Sequence, residues 1–437
     1  MAIGLVIRLV MAPFFAHPFD MYSFYTVGQE FVQGVHPLLD YFAPYSYSYF
    51  LFAFPAAAVF NALTSVIGPS TIPISSINPI LNPVTQPAIT VIPGLLFDFL
   101  EKLPLIASDT IIAVLVYRLV SLYIHDDKQA VTAAALWFLN PLTIWVSSGW
   151  GMMDTLPALF TVLALYFVLQ GRFALSGVST VVGVAMKFYP LVLLFPLLLI
   201  AWRRGGRTGF AGALIGTLFA SLVLFLPSLN LVTSKFMFVA TTPSFTSTQY
   251  SGISFWTALT LFLPSFNPIL LSLAITGILM FAAYAWMWRK EQADDIQTAA
   301  AFFALPVIIL LLSYRFVGEN FFVWLFPFGA ILAMKGIYVK RLFWFLSLVA
   351  LVSSITDSLL PYYMLPMAPW IGNYLASALA AVAPYRVAPG GEVIAGLSFG
   401  KVFLSSLGIV TALGIVLSFL GCIKGGTLGL LRSSRSE

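Results

Sequence analysis

Long apolar runs follow one another along the chain, separated by short polar clusters. Runs at residues 2–16, 95–123, 129–147, 154–170, 209–229, 266–288, 297–313, 320–334, 342–360 and 401–422 approach the roughly twenty residues a helix needs to cross the hydrocarbon core. The stretch 174–202 holds two more, short and divided at Lys187-Phe188-Tyr189-Pro190. This pattern predicts an all-α polytopic membrane bundle of about a dozen transmembrane helices, with 1–437 a single integral membrane domain. The run 44–66 is apolar enough to span, but it opens on Pro44-Tyr45-Ser46-Tyr47-Ser48-Tyr49 and contains Pro55. The segment 67–94, rich in Pro, Ser, Thr and Asn, is unsuited to a lipid-exposed helix and reads as part of an outer loop covering 17–94.

Basic residues set the orientation. If 44–66 lies in or re-enters the outer leaflet and the N-terminus is cytoplasmic, the inside receives Arg118, Lys128, Arg172, Arg203, Arg204, Arg207, Arg289, Lys290, Lys335, Lys340, Arg341, Lys424, Arg432 and Arg435. Lys102, Lys187, Lys235, Arg315, Arg386 and Lys401 then fall outside or at the outer boundary. Letting 44–66 cross reverses that bias, against the positive-inside rule. Met1 to Ala16, with Arg8 in its middle and no basic flank, reads as a first span and not as a cleavable leader.

Composition agrees with the pattern. Of 437 residues, 60% are hydrophobic, 16% aromatic and only 8% charged, with mean hydropathy +0.98, whereas soluble domains carry about 25% charged residues. A separate soluble catalytic domain is excluded. The net charge of +5 reflects membrane orientation, so nucleic acid is not an expected partner. Cys422 is the single cysteine, which rules out intrachain disulfides and Cys-based metal sites. With only His17, His36 and His125, metal or triad chemistry built on histidine is not expected.

On this topology Asp20, Glu30, Asp40, Asp98, Glu101, Lys102, Asp154, Lys187, Arg315 and Glu319 gather at the outer face, and ionisable groups at membrane depth are functional candidates by default. Each has a plainer reading. Asp20 is either the cap of an interfacial helix or a general base for a hydroxyl. Asp154, after Gly149-Trp150-Gly151, has the same capping alternative. Lys102 and Asp109, seven residues apart, share a helix face and read as an ion pair or as functional groups. Lys187 either snorkels to the interface or binds phosphate, and Arg315 with Glu319 is either a surface pair or part of the site. No Walker loop, dinucleotide-binding glycine fingerprint or histidine-rich metal motif occurs.

In order along the chain, these segments resemble the glycosyltransferase C superfamily. The nearest likeness is to the polyprenyl-phosphate-mannose-dependent mannosyltransferases, including the catalytic subunit of GPI mannosyltransferase I. The resemblance is carried by Asp20-Met21-Tyr22 with Glu30, Gly34, Pro37 and Tyr45; by Lys102-Leu103-Pro104 with Asp109; by Asn140-Pro141 through Trp150-Gly151 to Asp154; by Gly183 through Lys187-Phe188-Tyr189-Pro190; and, more loosely, by Glu319-Asn320 through Trp324 and Pro327. It covers roughly 1–200 and 310–330, and it makes 1–230 the catalytic-type module and 231–437 the variable C-terminal helices. Many members have Asp-x-Asp in the first loop, whereas position 18 here is Pro and Asp20 stands alone, which makes a divalent cation (Mg or Mn) optional.

The resemblance implies a membrane enzyme that moves a hexose, by analogy mannose, from a polyprenyl- or dolichyl-phosphate donor to a lipid-linked or other glycan acceptor on the outer or luminal face, with inversion. It assigns Asp20 as base, Lys102, Lys187 and Arg315 to the donor phosphate, and Asp154, Glu30, Tyr22, Trp150, Tyr189 and Glu319 to the acceptor or sugar. Membrane lipid is a further partner. The competing readings are a lipid or solute transporter or flippase, and a non-catalytic subunit of a glycosyltransferase complex.

Overall fold

The computed structural model describes residues 1–34, 46–68, 70–76, 89–226, 255–256, 259, 269–290, 295–313, 317–357, 360–382 and 414. The fold is an all-α membrane bundle, with one two-residue strand pair among the described residues.

Helix α1 (Ala2–Met11) turns Ile3, Val6 and Val10 outward and buries Gly4 and Arg8. Its apolar side therefore faces lipid and its polar side faces the bundle, as expected of a charge-bearing membrane helix. Helix α2 (Pro18–Val32) follows a tight turn, with His17 at its N-cap and proline in its first turn, where the missing N–H costs nothing. Helix α3 (Ser46–Ile67) packs closely on α2, since a Cβ on Gly28 would stand 2.6 Å from the Ala53 carbonyl. Between α3 and the next helix, β1 (Ile72–Pro73) and β2 (Val91–Ile92) pair antiparallel.

Helix α4 (Leu95–Ile124) has 30 residues, about 45 Å at 1.5 Å per residue. It ends at His125 in the left-handed conformation (φ 56°). Helix α5 (Asp127–Phe138) is capped by the Asp126 carboxylate, which accepts from the Lys128 and Gln129 amides. After a bend of 47°, α6 (Pro141–Ile144), capped by Asn140, runs into a π-helical turn over Trp145–Trp150. Helix α7 (Thr155–Leu169) and helix α8 (Phe173–Met186) lead to a 3-10 turn over Tyr189–Leu193 and α9 (Leu194–Phe225), which kinks at Gly206. Then come α10 (Ile269–Arg289), α11 (Ile296–Ser313), a 3-10 turn over Glu319–Trp324, α12 (Phe326–Leu332), α13 (Ile337–Asp357) and α14 (Ala368–Val382). Helices α8 and α9 meet backbone to backbone, for a Cβ on Gly216 would fall 2.0 Å from the Ala174 carbonyl. Such small-residue contacts are how membrane helices approach.

The dozen spans read from the runs resolve differently. Among the described residues five helices are long and apolar enough to cross, six if the bent Asp127–Phe138 and Pro141–Trp150 pair counts as one, and five more apolar helices are shorter. Proline placement explains much of this. Pro13 follows the short α1, and the run 320–334 becomes a 3-10 turn and a seven-residue helix around Pro327. The two pieces expected after Lys187 and at 209–229 follow each other within Tyr189–Phe225, where Gly206 leaves the helical conformation (φ 58°, ψ −143°) and separates two helices. The run 401–422 lies outside the described residues except Gly414. The main core draws Trp137 and Phe138 from α5, Leu165 from α7, and Phe302 and Phe303 from α11.

Candidate active site at one end of the bundle

The turn between α1 and α2 is fixed from three directions. Below it, Arg8 is buried and donates from Nε to Asp109 Oδ2 at 2.8 Å, from Nη1 to the Phe138 carbonyl at 2.7 Å and from Nη2 to Thr143 Oγ1 at 3.2 Å. Beside it, Lys102 Nζ donates to the carbonyls of Ala12 (2.8 Å) and Phe15, which lie beyond the helical pairing of α1 and so need outside donors. Across from it, the Ala16 amide donates to the Tyr363 carbonyl at 2.7 Å and the His17 amide to that of Trp150 at 3.2 Å. Lys102 and Asp109 therefore do not pair. Each holds a different part of the N-terminal segment.

These anchors place Asp20 in the first turn of α2. His17, not Asp20, is the N-cap. The Asp20 carboxylate accepts from Trp150 Nε1 at 2.7 Å and stands 2.8 Å from His17 Nδ1, both at Oδ2. Oδ1 has no hydrogen-bond partner among the described residues. The side chain remains 20% exposed. Burial pushes its pKa up, but His17 when protonated and its hydrogen bond, the Trp150 N–H and the Lys187 charge outweigh it, leaving the carboxyl below its ordinary value. The group is ionised at neutral pH. The His17 ring packs on Trp150 and Tyr363, with centroids 5.7 and 5.5 Å away, and those two rings touch each other at 6.1 Å.

Asp154 forms a second centre. It is fully buried and accepts from Lys187 Nζ and Trp324 Nε1, both at 2.6 Å, and from the Asn320 amide. Lys187 occupies the extended break after α8 and lies 4.4 Å from the Phe321 ring centroid and 5.0 Å from that of Trp324. Tyr189 stacks on Trp324 at 4.2 Å, nearly parallel. The Lys-Phe-Tyr-Pro turn thus positions a cation and an aromatic against the 319–324 segment, and Lys187 is near enough for its charge to act on Asp20.

Other expected site residues lie apart from these two centres. The Tyr22 hydroxyl shares a 3.4 Å contact with Thr90 Oγ1. Glu30 stands about 15 Å further along α2 at helical rise. Glu319 is buried and accepts from Ser353 Oγ at 2.6 Å. Arg315 and Asp40 lie outside the described residues. Asp98 and Glu101 are buried with no hydrogen-bond partner on any carboxylate oxygen among the described residues. Among the described residues no three His, Cys, Asp or Glu side chains group to hold a metal ion.

Sequence reasoning missed His17, Arg8, Tyr363, and Asn320 and Trp324 as partners of Asp154. For Arg8 a signal existed, a lone cation within an apolar helix whose natural partner is a carboxylate at similar depth.

Known proteins bear on this arrangement as follows. No curated protein matches the chain. A crystal structure of ArnT from Cupriavidus metallidurans bound to undecaprenyl phosphate aligns with 98% of this chain and 76% of that one, at 16% identity and a TM-score of 0.49. The family model of the GPI transamidase subunit PIG-U matches residues 78–260, less than half of the chain, so the chain is similar to that family over the stretch that carries Lys102, Asp109, Asp154 and Lys187.

Proposed function

We propose that the chain is a membrane glycosyltransferase that transfers a hexose, in the mannose class, from a polyprenyl-phosphate donor to a hydroxyl of a lipid-linked or glycan acceptor. The observation that carries this reading is Asp20, an ionised and partly open carboxylate whose Oδ2 is pinned by Trp150 and His17 while Oδ1 is unengaged. An acceptor hydroxyl hydrogen-bonded to Oδ1 would attack the anomeric carbon as the carbon–oxygen bond to phosphate breaks. Its proton passes to Asp20 and the polyprenyl phosphate leaves, with inversion. Phosphate departs without needing a proton but needs cationic stabilisation. Lys187 supplies it, with a charge that already acts on Asp20. Lys102 has given two protons to backbone carbonyls, so its contribution is chiefly the charge. Arg315 keeps its proposed phosphate role. Asp154, with Tyr189 and Trp324, shapes the wall against which the sugar would lie, and no step is assigned to Mg or Mn.

The test is transfer from radiolabelled polyprenyl-phosphate hexoses by the reconstituted protein. Asp20→Asn keeps shape and a hydrogen-bond acceptor but cannot take a proton, so the rate should fall about 10²- to 10⁴-fold with thermal stability near wild type. Retained transfer would remove Asp20 as base.

A second reading, a non-catalytic subunit of a membrane complex acting on lipid-linked glycans, is favoured by the PIG-U family match and by the engagement of Asp154 with three protein donors. It predicts no transfer by the wild-type chain with any donor and co-purification with partner subunits.

A further inference from the structure

The contact between His17 and Asp20 holds one proton in a defined place, and this bears on how the carboxylate acts. His17 Nδ1 lies 2.8 Å from Asp20 Oδ2 and 3.4 Å from the Asp20 amide nitrogen. A ring nitrogen donates or accepts, not both. Were Nδ1 unprotonated, its lone pair would face an ionised oxygen at 2.8 Å, so with Asp20 ionised the proton sits on Nδ1. That leaves Oδ2 with two donors, His17 and Trp150, and makes Oδ1 the more basic oxygen.

The ring is held in a three-ring cluster. It packs on both Trp150 and Tyr363, which also touch each other at 6.1 Å, and its backbone is tied to the Trp150 carbonyl. We infer that His17 is a positioning residue that pins one oxygen of Asp20, leaves the other to take the acceptor proton, and weakens that base when its imidazole gains a second proton. The inference rests on the transferase reading above.

The sign follows from charge. With neutral His17, Asp20 is opposed by a hydrogen-bond dipole. With imidazolium, a full positive charge 2.8 Å away stabilises the carboxylate and lowers its basicity. Transfer therefore falls as pH drops through the His17 titration. Among the described residues, the charged groups that act on this carboxylate or feel it include Lys187, which acts on Asp20, and Glu101 of α4, which feels the Asp20 charge. Trp150 from the π-turn contributes a neutral ring, as does Tyr363, whose phenol reaches the Ser354 carbonyl at 3.4 Å. The non-titrating His17→Asn variant separates the histidine's contribution from those of Lys187 and Glu101.

The full chain, labelled with ¹⁵N-histidine in nanodiscs, provides a readout independent of activity, because it contains three histidines and the His17→Asn variant assigns the missing signal. At alkaline pH the ring shifts should report Nδ1–H. In Asp20→Asn the midpoint should fall by about one unit or more, since a charge within hydrogen-bond distance is lost. A dominant Nε2–H tautomer, or an unchanged midpoint, would overturn the inference.

The transfer assay supplies the second arm. His17→Leu should lower kcat about 10- to 100-fold, the range for losing a hydrogen bond to a charged group, with KM for the lipid donor unchanged. His17→Asn, which retains an N–H but does not titrate, should recover most of the rate at pH 8 and lose the acid limb of the profile. Full kcat in His17→Leu, or an acid limb kept in His17→Asn, would refute the role. If Asp20→Asn itself transfers at the wild-type rate, the transferase reading of Asp20 fails, while the nuclear magnetic resonance arm still decides where the proton sits.

Discussion

Removing Arg8 isolates Asp109 in the bundle interior. Both side chains are fully buried, Asp109 Oδ2 takes its hydrogen bond from Arg8 Nε at 2.8 Å, and Oδ1 has no partner. In Arg8→Met the stem is replaced by one of similar reach. Asp109 keeps its charge without compensation, and the Phe138 carbonyl and Thr143 hydroxyl lose a donor. Breaking a buried pair from one side costs about 3 to 5 kcal/mol. Arg8→Met/Asp109→Leu removes both charges, and such replacements are often neutral or stabilising by about 1 to 4 kcal/mol. The double variant should therefore be more stable than Arg8→Met. The measurement is a double-mutant cycle on unfolding of the purified protein in detergent, which isolates the pairwise energy. Additive single and double variants, or an Arg8→Met loss below about 1 kcal/mol, would refute the claim that this pair carries the anchoring of α1, since surface pairs already reach that value.

Two further outcomes follow from the arrangement. Lys187→Met should weaken apparent donor affinity if the ammonium meets phosphate, and should also destabilise the fold because Asp154 then keeps only Asn320 and Trp324 as donors. Wild-type affinity in a destabilised variant would leave Lys187 with the structural role alone. For orientation, a cysteine placed at Ser434 in a Cys422→Ser background should resist impermeant labels applied to intact cells. Labelling from outside would place the C-terminus on the same side as the outer loops and remove Asp20 from the face assigned to it.

The helical class was legible because lipid exposure leaves apolar runs that no loop needs. Span lengths were not, because apolar composition does not separate one long helix from two short ones. Gly206 divides Tyr189–Phe225 into two helices where the apolar runs also part, whereas Pro327 helps shorten its own helix to seven residues. The pairing of Lys102 with Asp109 fails on distance: seven residues rise about 10.5 Å along a helix, too far for a salt bridge even when the residues share a face. The true partners come from Arg8, Ala12 and Phe15, about a hundred residues away. Asp154 was legible as a special carboxylate from the turn before it. Its donors Asn320 and Trp324 lie 166 and 170 residues along the chain, beyond any local pattern. His17 was passed over because a lone histidine is ambiguous until Trp150 is brought beside it.

The anchors also separate architecture from function. Buried charges are weak evidence of stability, since apolar replacements of similar volume often do as well or better. Yet Arg8 and Lys102 both act on the segment leading to His17 and Asp20, one through Asp109 and one through the carbonyls of Ala12 and Phe15. If these charges serve only to hold helices together, the Arg8→Met/Asp109→Leu double variant should recover transfer together with stability. If they aim Asp20, stability returns but transfer does not. An apolar pair packs α1 without fixing its rotation, and a displacement of about 1 Å at a reacting group can cost 10²-fold in rate. Recovery of both in that variant would show that the charges are not needed to place the base.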